Sequence, residues 1–368
     1  MQTRAALVYA YGDPYQVEQV ELDEPREREV LVRVAAAGIC HSDEHVRVGE
    51  MRALLPLALG HEGAGVVERV GPGVTRCKPG DHIVFSFIPA CGHCRYCMMG
   101  LSNLCVLQNR TMGGPRLDGT FRMRDGAGRE VGQFCLISTF SEWTVAPEES
   151  IVVIDPDVPL DKAALVGCGV STAFGAVVHR AHVEPGSSAI VIGCGGIGIN
   201  VVQSLAIAGA AQIIAVDILD TKLEAARAFG ATHTLNAKTD DVPKLVRGLT
   251  AGQGADYAFE VTGVSSAATQ AFAATRKGGT IVLIGISPAD QRSLAIPPQE
   301  LVLLQKTVMG TLYGSAQAAN DIPRLLSLYK SGKLKLDELV TRTYTLDEIN
   351  AGYADLTAGR NLRGVITF

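Results

Sequence analysis

Four of the nine cysteines in this 368-residue chain fall within fifteen positions: Cys91, Cys94, Cys97 and Cys105 in "CGHCRYCMMGLSNLC". The spacing C-x2-C-x2-C-x7-C lets four thiolates close a tetrahedron around Zn²⁺ at Zn–S distances of about 2.3 Å. A disulfide pair and an iron–sulfur cluster are alternatives for the same thiols. A reducing compartment disfavours the first. The fourth cysteine, outside a C-x3-C-P run, disfavours the second. Four cysteines fill every position on zinc, so this cluster reads as a clamp on an exposed lobe, and the chemistry lies elsewhere.

A second chemical signature is "IVIGCGGIGINVVQSLAIAGAAQIIAVD", which carries G-x-G-x-x-G as Gly193, Gly195 and Gly198. It follows an apolar strand, opens a helix, and leads into another strand ending at Asp217, nineteen residues past Gly198. In that context the pattern predicts dinucleotide binding. Gly193 makes the tight turn, Gly195 admits the pyrophosphate, and Gly198 lets helix and sheet pack closely. Gly196 and Ile197 complete the turn, at a helix N-terminus that favours phosphate. Asp217 would accept from the adenosine ribose hydroxyls. Its charge repels a 2′-phosphate, so NAD is expected rather than NADP.

The elements that must position these groups form two patterns. The first ~110 residues read as short strands broken by turns, such as "EVLVRVAAAG", "GAGVVERVG" and "HIVFSF". From about Ser188, apolar strands alternate with helical segments, which predicts a parallel sheet covered by helices on both faces. Two helices and a last strand, "RGVITF", close the chain. The length predicts two domains. A composition of 47% hydrophobic and 19% charged residues is that of a globular protein. A net charge of −5 argues against nucleic acid or an anionic membrane as partner. Residues 187–216 carry no charge, but five glycines and a change of periodicity argue against a membrane span. "MQTRAALVYAYGDP" shows no leader pattern, and with an odd number of cysteines the expected location is cytoplasmic.

Three further segments hold potential ligands: "GICHSDEHVRVG", "LGHEGAGVVERVG" and "LVGCGVSTAFGA". Taken singly, none is diagnostic. Together with the cysteine lobe and the glycine loop, in this order, they resemble the zinc-containing medium-chain dehydrogenase/reductase family, alcohol dehydrogenase branch. The similarity covers almost the whole chain. The resemblance implies an α/β fold: a β-rich GroES-like catalytic domain at 1–169 and 313–368, and a Rossmann coenzyme domain at 170–312. It implies two zinc ions per subunit, one structural in the lobe and one catalytic on Cys40, His61 and Cys168, with a fourth position open to substrate. Glu62 would sit behind that metal as an exchanging ligand, and Asp43 would hold the His61 ring.

The implied chemistry is reversible hydride transfer between a primary alcohol and NAD, giving the aldehyde. The alcohol's proton would leave through Ser42, a ribose hydroxyl and His45. Lys222 would touch the adenosine ribose, and His41 and Arg363 would face the pyrophosphate; arginine is commoner in the family at the His41 position. Ile284 and Ile286 would line the cofactor site. Phe87, Phe134 and Ile286 would wall the substrate pocket, which their character makes apolar. Cys77, Cys135 and Cys194 match no ligand position and read as packing residues. The strand near Thr307–Tyr313 and the long 110–140 stretch resemble those of dimeric members, with a tetramer as the other form. The tail is most similar to actinobacterial nicotinoprotein alcohol dehydrogenases, some of which need an external electron carrier to regenerate firmly held NAD. A thiol-dependent formaldehyde dehydrogenase and a non-catalytic zinc- and NAD-binding scaffold are the alternatives.

Overall fold

The computed structural model describes residues 1–116, 118–288, 291 and 293–368. The chain divides into two compact units. One comprises 1–168, 317–332 and 336–368; the other comprises 169–316 with 333–335.

The first unit opens with β1 (Gln2–Val8), β2 (Gln16–Leu22) and β3 (Glu29–Ile39), continues through β4 (Leu57–Ala58), β5 (Gly63–Val70) and β6 (His82–Phe85), then β7 (Met123–Arg124), β8 (Glu130–Gln133), β9 (Trp143–Pro147) and β10 (Ile151–Val153). The second unit holds β11 (Ser188–Ile192), β12 (Gln212–Asp217), β13 (His233–Asn236), β14 (Ala255–Glu260), β15 (Thr275–Leu283) and β16 (Thr307–Gly310). The chain then returns to the first unit with β17 (Val340–Tyr344) and β18 (Arg363–Thr367).

In the first unit, β1, β2, β7, β8 and β4 close a small barrel. A larger sheet runs β10-β6-β5-β3-β18-β17, with β9 also on β3. The long strand β3 is its spine, buried at nine of its eleven positions and paired with β5, β9 and β18. Val30, Val32, Val34, Leu57, Phe85, Phe140 and Ile366 meet in the main core of this unit. Burial of that apolar surface, at roughly 25 cal/mol per Å², drives the packing.

The second unit is a six-stranded sheet in the order β13-β12-β11-β14-β15-β16, and every pairing is parallel. β11 is buried at all five residues, as expected of a strand covered on both faces. The chain builds outward from β11 to β13, then restarts beside β11 at β14. That reversal is the topological switch point, where open α/β sheets bind ligands at the carboxyl ends of their strands. The uncharged stretch 187–216 is divided among β11, the buried helix Gly196–Ile207 and β12. No single helix among the described residues is long and apolar enough to cross a membrane.

The boundaries differ in detail from the sequence expectation of 313–368. Residues 313–316 stay with the second unit, where Gly314 lies against the carbonyl of Thr172: a side chain there would come within 2.0 Å of that oxygen. Residues 333–335 join it too. The Gln203 side chain bonds the main chain of Lys335 in both directions, at 3.0 and 3.3 Å, and Lys335 Nζ donates to Ala228 O at 2.6 Å.

Candidate active site

Two strand ends and one helix break deliver the first set of ligands. Cys40 follows β3 in extended conformation (φ −129°, ψ 147°) and caps the helix His41–Arg47. Because the chain turns into a helix there, Asp43 and Val46, three residues apart, share its buried face. His61 and Glu62 lie between β4 and β5. Cys168 stands at a break (φ −137°, ψ −83°) between the turn Ala164–Gly167 and the helix Gly169–Gly175.

The ligand atoms of Cys40, His61, Glu62 and Cys168 all lie within 4.8 Å of one another, and all four residues are buried. His61 Nε2 is 3.3 Å from Cys168 Sγ. On the other side of the ring, Nδ1 lies 3.0 Å from Asp43 Oδ2, while Asp43 Oδ1 accepts from Gly60 N at 2.9 Å. That arrangement presents Nε2 to the thiols. Ser42 Oγ lies 3.8 Å from Cys40 Sγ. The rings of Phe87 and Phe134 each stand nearly perpendicular to the His61 ring, at 5.5 and 5.6 Å between centroids.

The four buried groups perturb one another strongly. A hydrogen bond from Cys168 pushes the Cys40 thiol well down, against the cost of burial and with help from the charge of His61. The same bond, together with burial, pushes Cys168 well up. Burial alone would lower His61, but the charges of Asp43 and Cys40 lift it well above the usual imidazole range. Burial raises Glu62 and Asp43, with Arg363 and His61 opposing it, respectively. Glu62 Oε2 is paired with Arg363 Nη2, and Glu62 Oε1 is fully buried with no hydrogen-bond partner. Two thiols, an imidazole and an orphaned carboxylate oxygen form a donor set that fits Zn²⁺.

The second set, Cys91, Cys94, Cys97 and Cys105, also gathers within 4.8 Å. Sγ–Sγ separations of 3.9 Å for Cys91–Cys97 and Cys94–Cys105 are too long for a disulfide. They match the edge of a Zn–S tetrahedron, about 3.8 Å for 2.3 Å bonds. All nine cysteines are free. Backbone N–H groups of Cys91 and Cys94 point at Cys105 and Cys91 Sγ, at 3.4 and 3.3 Å. Such bonds favour thiolates. Cys135 and Cys194 are buried and Cys77 is half-buried, and none belongs to either group.

In the second unit, Gly193 has φ +98°, and a side chain on it would meet Thr262 at 2.6 Å. A side chain on Gly198 would overlap the carbonyl of Gly193, at 1.7 Å. Gly195 instead faces open space, leaving backbone accessible at the N-terminus of the twelve-residue helix that Gly196, Ile197 and Gly198 open. Asp217, half-buried at the end of β12, accepts from Cys194 N at 2.7 Å and Leu219 N at 3.0 Å. These bonds orient its carboxylate at the loop. Lys222 is 8% exposed; burial lowers its pKa and the Asp217 charge opposes that. The cradle and the oriented acid fit a dinucleotide. Ile284 is buried at 7% exposure and Ile286 stands 45% exposed.

Arg363, His45 and His41 have neighbours within the chain. Arg363 is 4% exposed and spends one guanidinium nitrogen on Glu62. His45 Nδ1 meets Glu50 Oε2, a partner that no motif announces, although a carboxylate five residues on is a recognisable candidate. His41 is exposed on the same helix, its ring 6.4 Å from that of His45.

Residues 26–156 match the family model for the alcohol dehydrogenase GroES-like domain, and residues 196–331 that for zinc-binding dehydrogenases. The chain is 47% identical over 368 residues to an NDMA-dependent alcohol dehydrogenase of Amycolatopsis methanolica, covering 100% of this chain and 99% of that one. It is 40% identical over 377 residues to an S-(hydroxymethyl)glutathione dehydrogenase of Paracoccus denitrificans, covering both chains completely. The crystal structure of benzyl alcohol dehydrogenase from Acinetobacter calcoaceticus superposes with a TM-score of 0.95 at 33% identity, covering 100% of this chain and 99% of that one.

Proposed function

The chain belongs to the zinc-binding alcohol dehydrogenase family, and from that premise we propose that it oxidises a primary alcohol with an apolar body to the aldehyde, reversibly, with NAD as hydride acceptor. Zinc and NAD are its cofactors. The observation that carries the reading is the buried convergence of Cys40, His61, Glu62 and Cys168, with one carboxylate oxygen unpartnered. Cys40, His61 and Cys168 would hold a catalytic zinc, and Cys91, Cys94, Cys97 and Cys105 a structural one. When bound, the catalytic zinc supplies Lewis-acid polarisation of an alcohol oxygen, and NAD supplies the acceptor for the hydride.

The residues of the chain do the rest. Ser42 Oγ, beside Cys40, would take the proton from a substrate hydroxyl, since a hydroxyl both accepts and donates. His45, part-exposed with its Nδ1 fixed by Glu50, can deliver that proton to solvent through its other nitrogen. Asp43 fixes the tautomer of His61 so that Nε2 stays a donor of electrons to metal. The Phe87 and Phe134 rings exclude water from the His61 side and favour an apolar substrate over a polar thiol adduct.

We further propose a cytoplasmic homodimer. Nine free thiols suit a reducing compartment. β16 is an edge strand, next to a helix whose Val302 and Leu303 are 75% and 71% exposed, and a second copy would cover it.

The test is NADH absorbance with purified protein, NAD⁺ and a panel of primary alcohols. NADH is expected with apolar alcohols, either accumulating or as one stoichiometric burst if the cofactor stays bound. NADH only with formaldehyde plus a low-molecular-weight thiol would overturn the substrate assignment.

A further inference from the structure

The turn that carries Phe134 is stitched to the strand end that carries His61. Ser138 Oγ donates to Ala58 O at 2.7 Å, Thr139 N to Gly60 O at 2.9 Å, and Thr139 Oγ1 to Glu62 O at 2.8 Å. Within this turn Cys135, Leu136 and Ser138 have φ of +53°, +61° and +47°. Residues with a Cβ rarely adopt that left-handed region, so the conformation persists only where neighbours impose it. Phe134 immediately precedes the left-handed pair, and its ring meets His61 at an interplanar angle of 82°. What holds the turn therefore holds the ring.

Arg116 is the residue in position to do so. It is 6% exposed, and its Nη2 donates to Gln133 Oε1 at 2.6 Å, to the Leu136 carbonyl at 3.3 Å and to the Val145 carbonyl. Its Nε lies 3.4 Å from Glu29 Oε1. Gln133 extends the clamp, donating to Thr144 Oγ1 at 2.9 Å and Val145 O at 3.2 Å. One guanidinium thus joins both ends of the segment 133–145 and lies beside Glu29, a carboxylate it shares with Arg122, whose Nε donates to Glu29 Oε2 at 2.7 Å. Burial draws its pKa down to about 10, so it is cationic at neutral pH.

We infer that Arg116 is a positioning residue: by clamping Gln133, Leu136 and Val145 it maintains the left-handed turn that sets Phe134 against His61, and so determines the size of alcohol the site admits. The inference rests on the reading of the His61 site as the alcohol site. A lysine would keep the charge beside Glu29 but lacks the planar fork that reaches several acceptors at once.

The experiment compares wild type, Arg116→Lys, Arg116→Met and the double variant Arg116→Met/Leu136→Gly, measuring zinc content and separate kcat and KM values for ethanol and benzyl alcohol. Arg116→Lys and Arg116→Met should retain zinc and change the benzyl-to-ethanol ratio of kcat/KM about tenfold, mostly through KM. Glycine takes positive φ without penalty, so the double variant should recover most of the wild-type ratio. Gln133→Met removes one arm of the clamp and leaves the arginine in place; it should move the same ratio about threefold, and it decides the matter if Arg116→Met does not fold. An unchanged ratio, or equal losses for both alcohols in proportion to the zinc-loaded fraction, would mean that Arg116 serves the core alone. Wild-type protein that oxidises neither alcohol would overturn the reading of the site and this inference with it.

Discussion

Glu62 and Arg363, 301 residues apart in sequence, form a fully buried ion pair against the group of Cys40, His61 and Cys168. Burial works against the Arg363 charge, but the Glu62 carboxylate more than compensates and holds the guanidinium above its ordinary range. Removing one partner strands the other charge in a buried site. Arg363→Leu is therefore expected to destabilise the protein by about 3–5 kcal/mol. Arg363→Leu combined with Glu62→Gln should cost less than the sum of the two single changes. Denaturant unfolding of the four proteins checks this, and strict additivity would show that the pair is not coupled.

The metal content separates the two cysteine sets. Wild-type protein should carry two zinc ions per chain, one for each group. Cys40→Ser should lose one of them together with alcohol oxidation, while NAD binding persists. Cys97→Ser should lose the other and lower thermal stability, because the lobe has little apolar core of its own: Met98 and Met99 are 74% and 60% exposed. Elemental analysis alongside thermal unfolding reads both, and retention of both metals in Cys40→Ser would remove that residue from the ligand set.

Asp43 is fully buried and holds His61 from behind. Replacing a carboxylate that orients a ligating imidazole commonly weakens the metal by about 10–100-fold. Asp43→Asn should therefore give up its catalytic zinc to a chelator at correspondingly lower chelator concentration, with the four-cysteine site unaffected. Equal resistance in wild type and variant would deny Asp43 that role.

We propose that the cofactor preference resides at the end of β12. Asp217→Asn keeps an oxygen for Cys194 N while removing the charge that repels a 2′-phosphate. Loss of the charged hydrogen bonds to ribose should weaken NAD binding by about 1.5–3 kcal/mol, and the ratio of kcat/KM for NADP over NAD should rise. Steady-state kinetics with both cofactors test this; an unchanged ratio would mean that discrimination lies elsewhere.

Much of this was legible in the chain itself, and the parts that were not share a cause. The four-cysteine lobe and the glycine loop are local: the ligands or the turn lie within a few residues, and their spacing carries the geometry. The Rossmann sheet was readable from alternating apolar strands and helices, and the uncharged stretch 187–216 resolved into strand, helix and strand. Bringing Cys40, His61 and Cys168 together depended on resemblance, because no periodicity links residues 128 positions apart. The Glu62–Arg363 pair and the Arg116 clamp were invisible for the same reason, whereas the Glu50 partner of His45 is local and merely lacks a motif. A side chain that reaches across a folded core leaves no pattern along the chain, and positive φ at Cys135 and Leu136 has no glycine to announce it. The crossing of residues 333–335 into the second unit follows from bonds to Gln203, which are equally nonlocal.

The proposed reaction moves hydrogen with its electron pair directly from the alcohol carbon to NAD. It is tested by supplying benzyl alcohol deuterated at the carbinol carbon together with NAD⁺ and reading the reduced cofactor by mass spectrometry. Direct transfer leaves a deuterium on the nicotinamide ring for each aldehyde formed, with only the hydroxyl proton released to solvent. Aldehyde formation with an unlabelled reduced cofactor, or with deuterium washed into water, would contradict it.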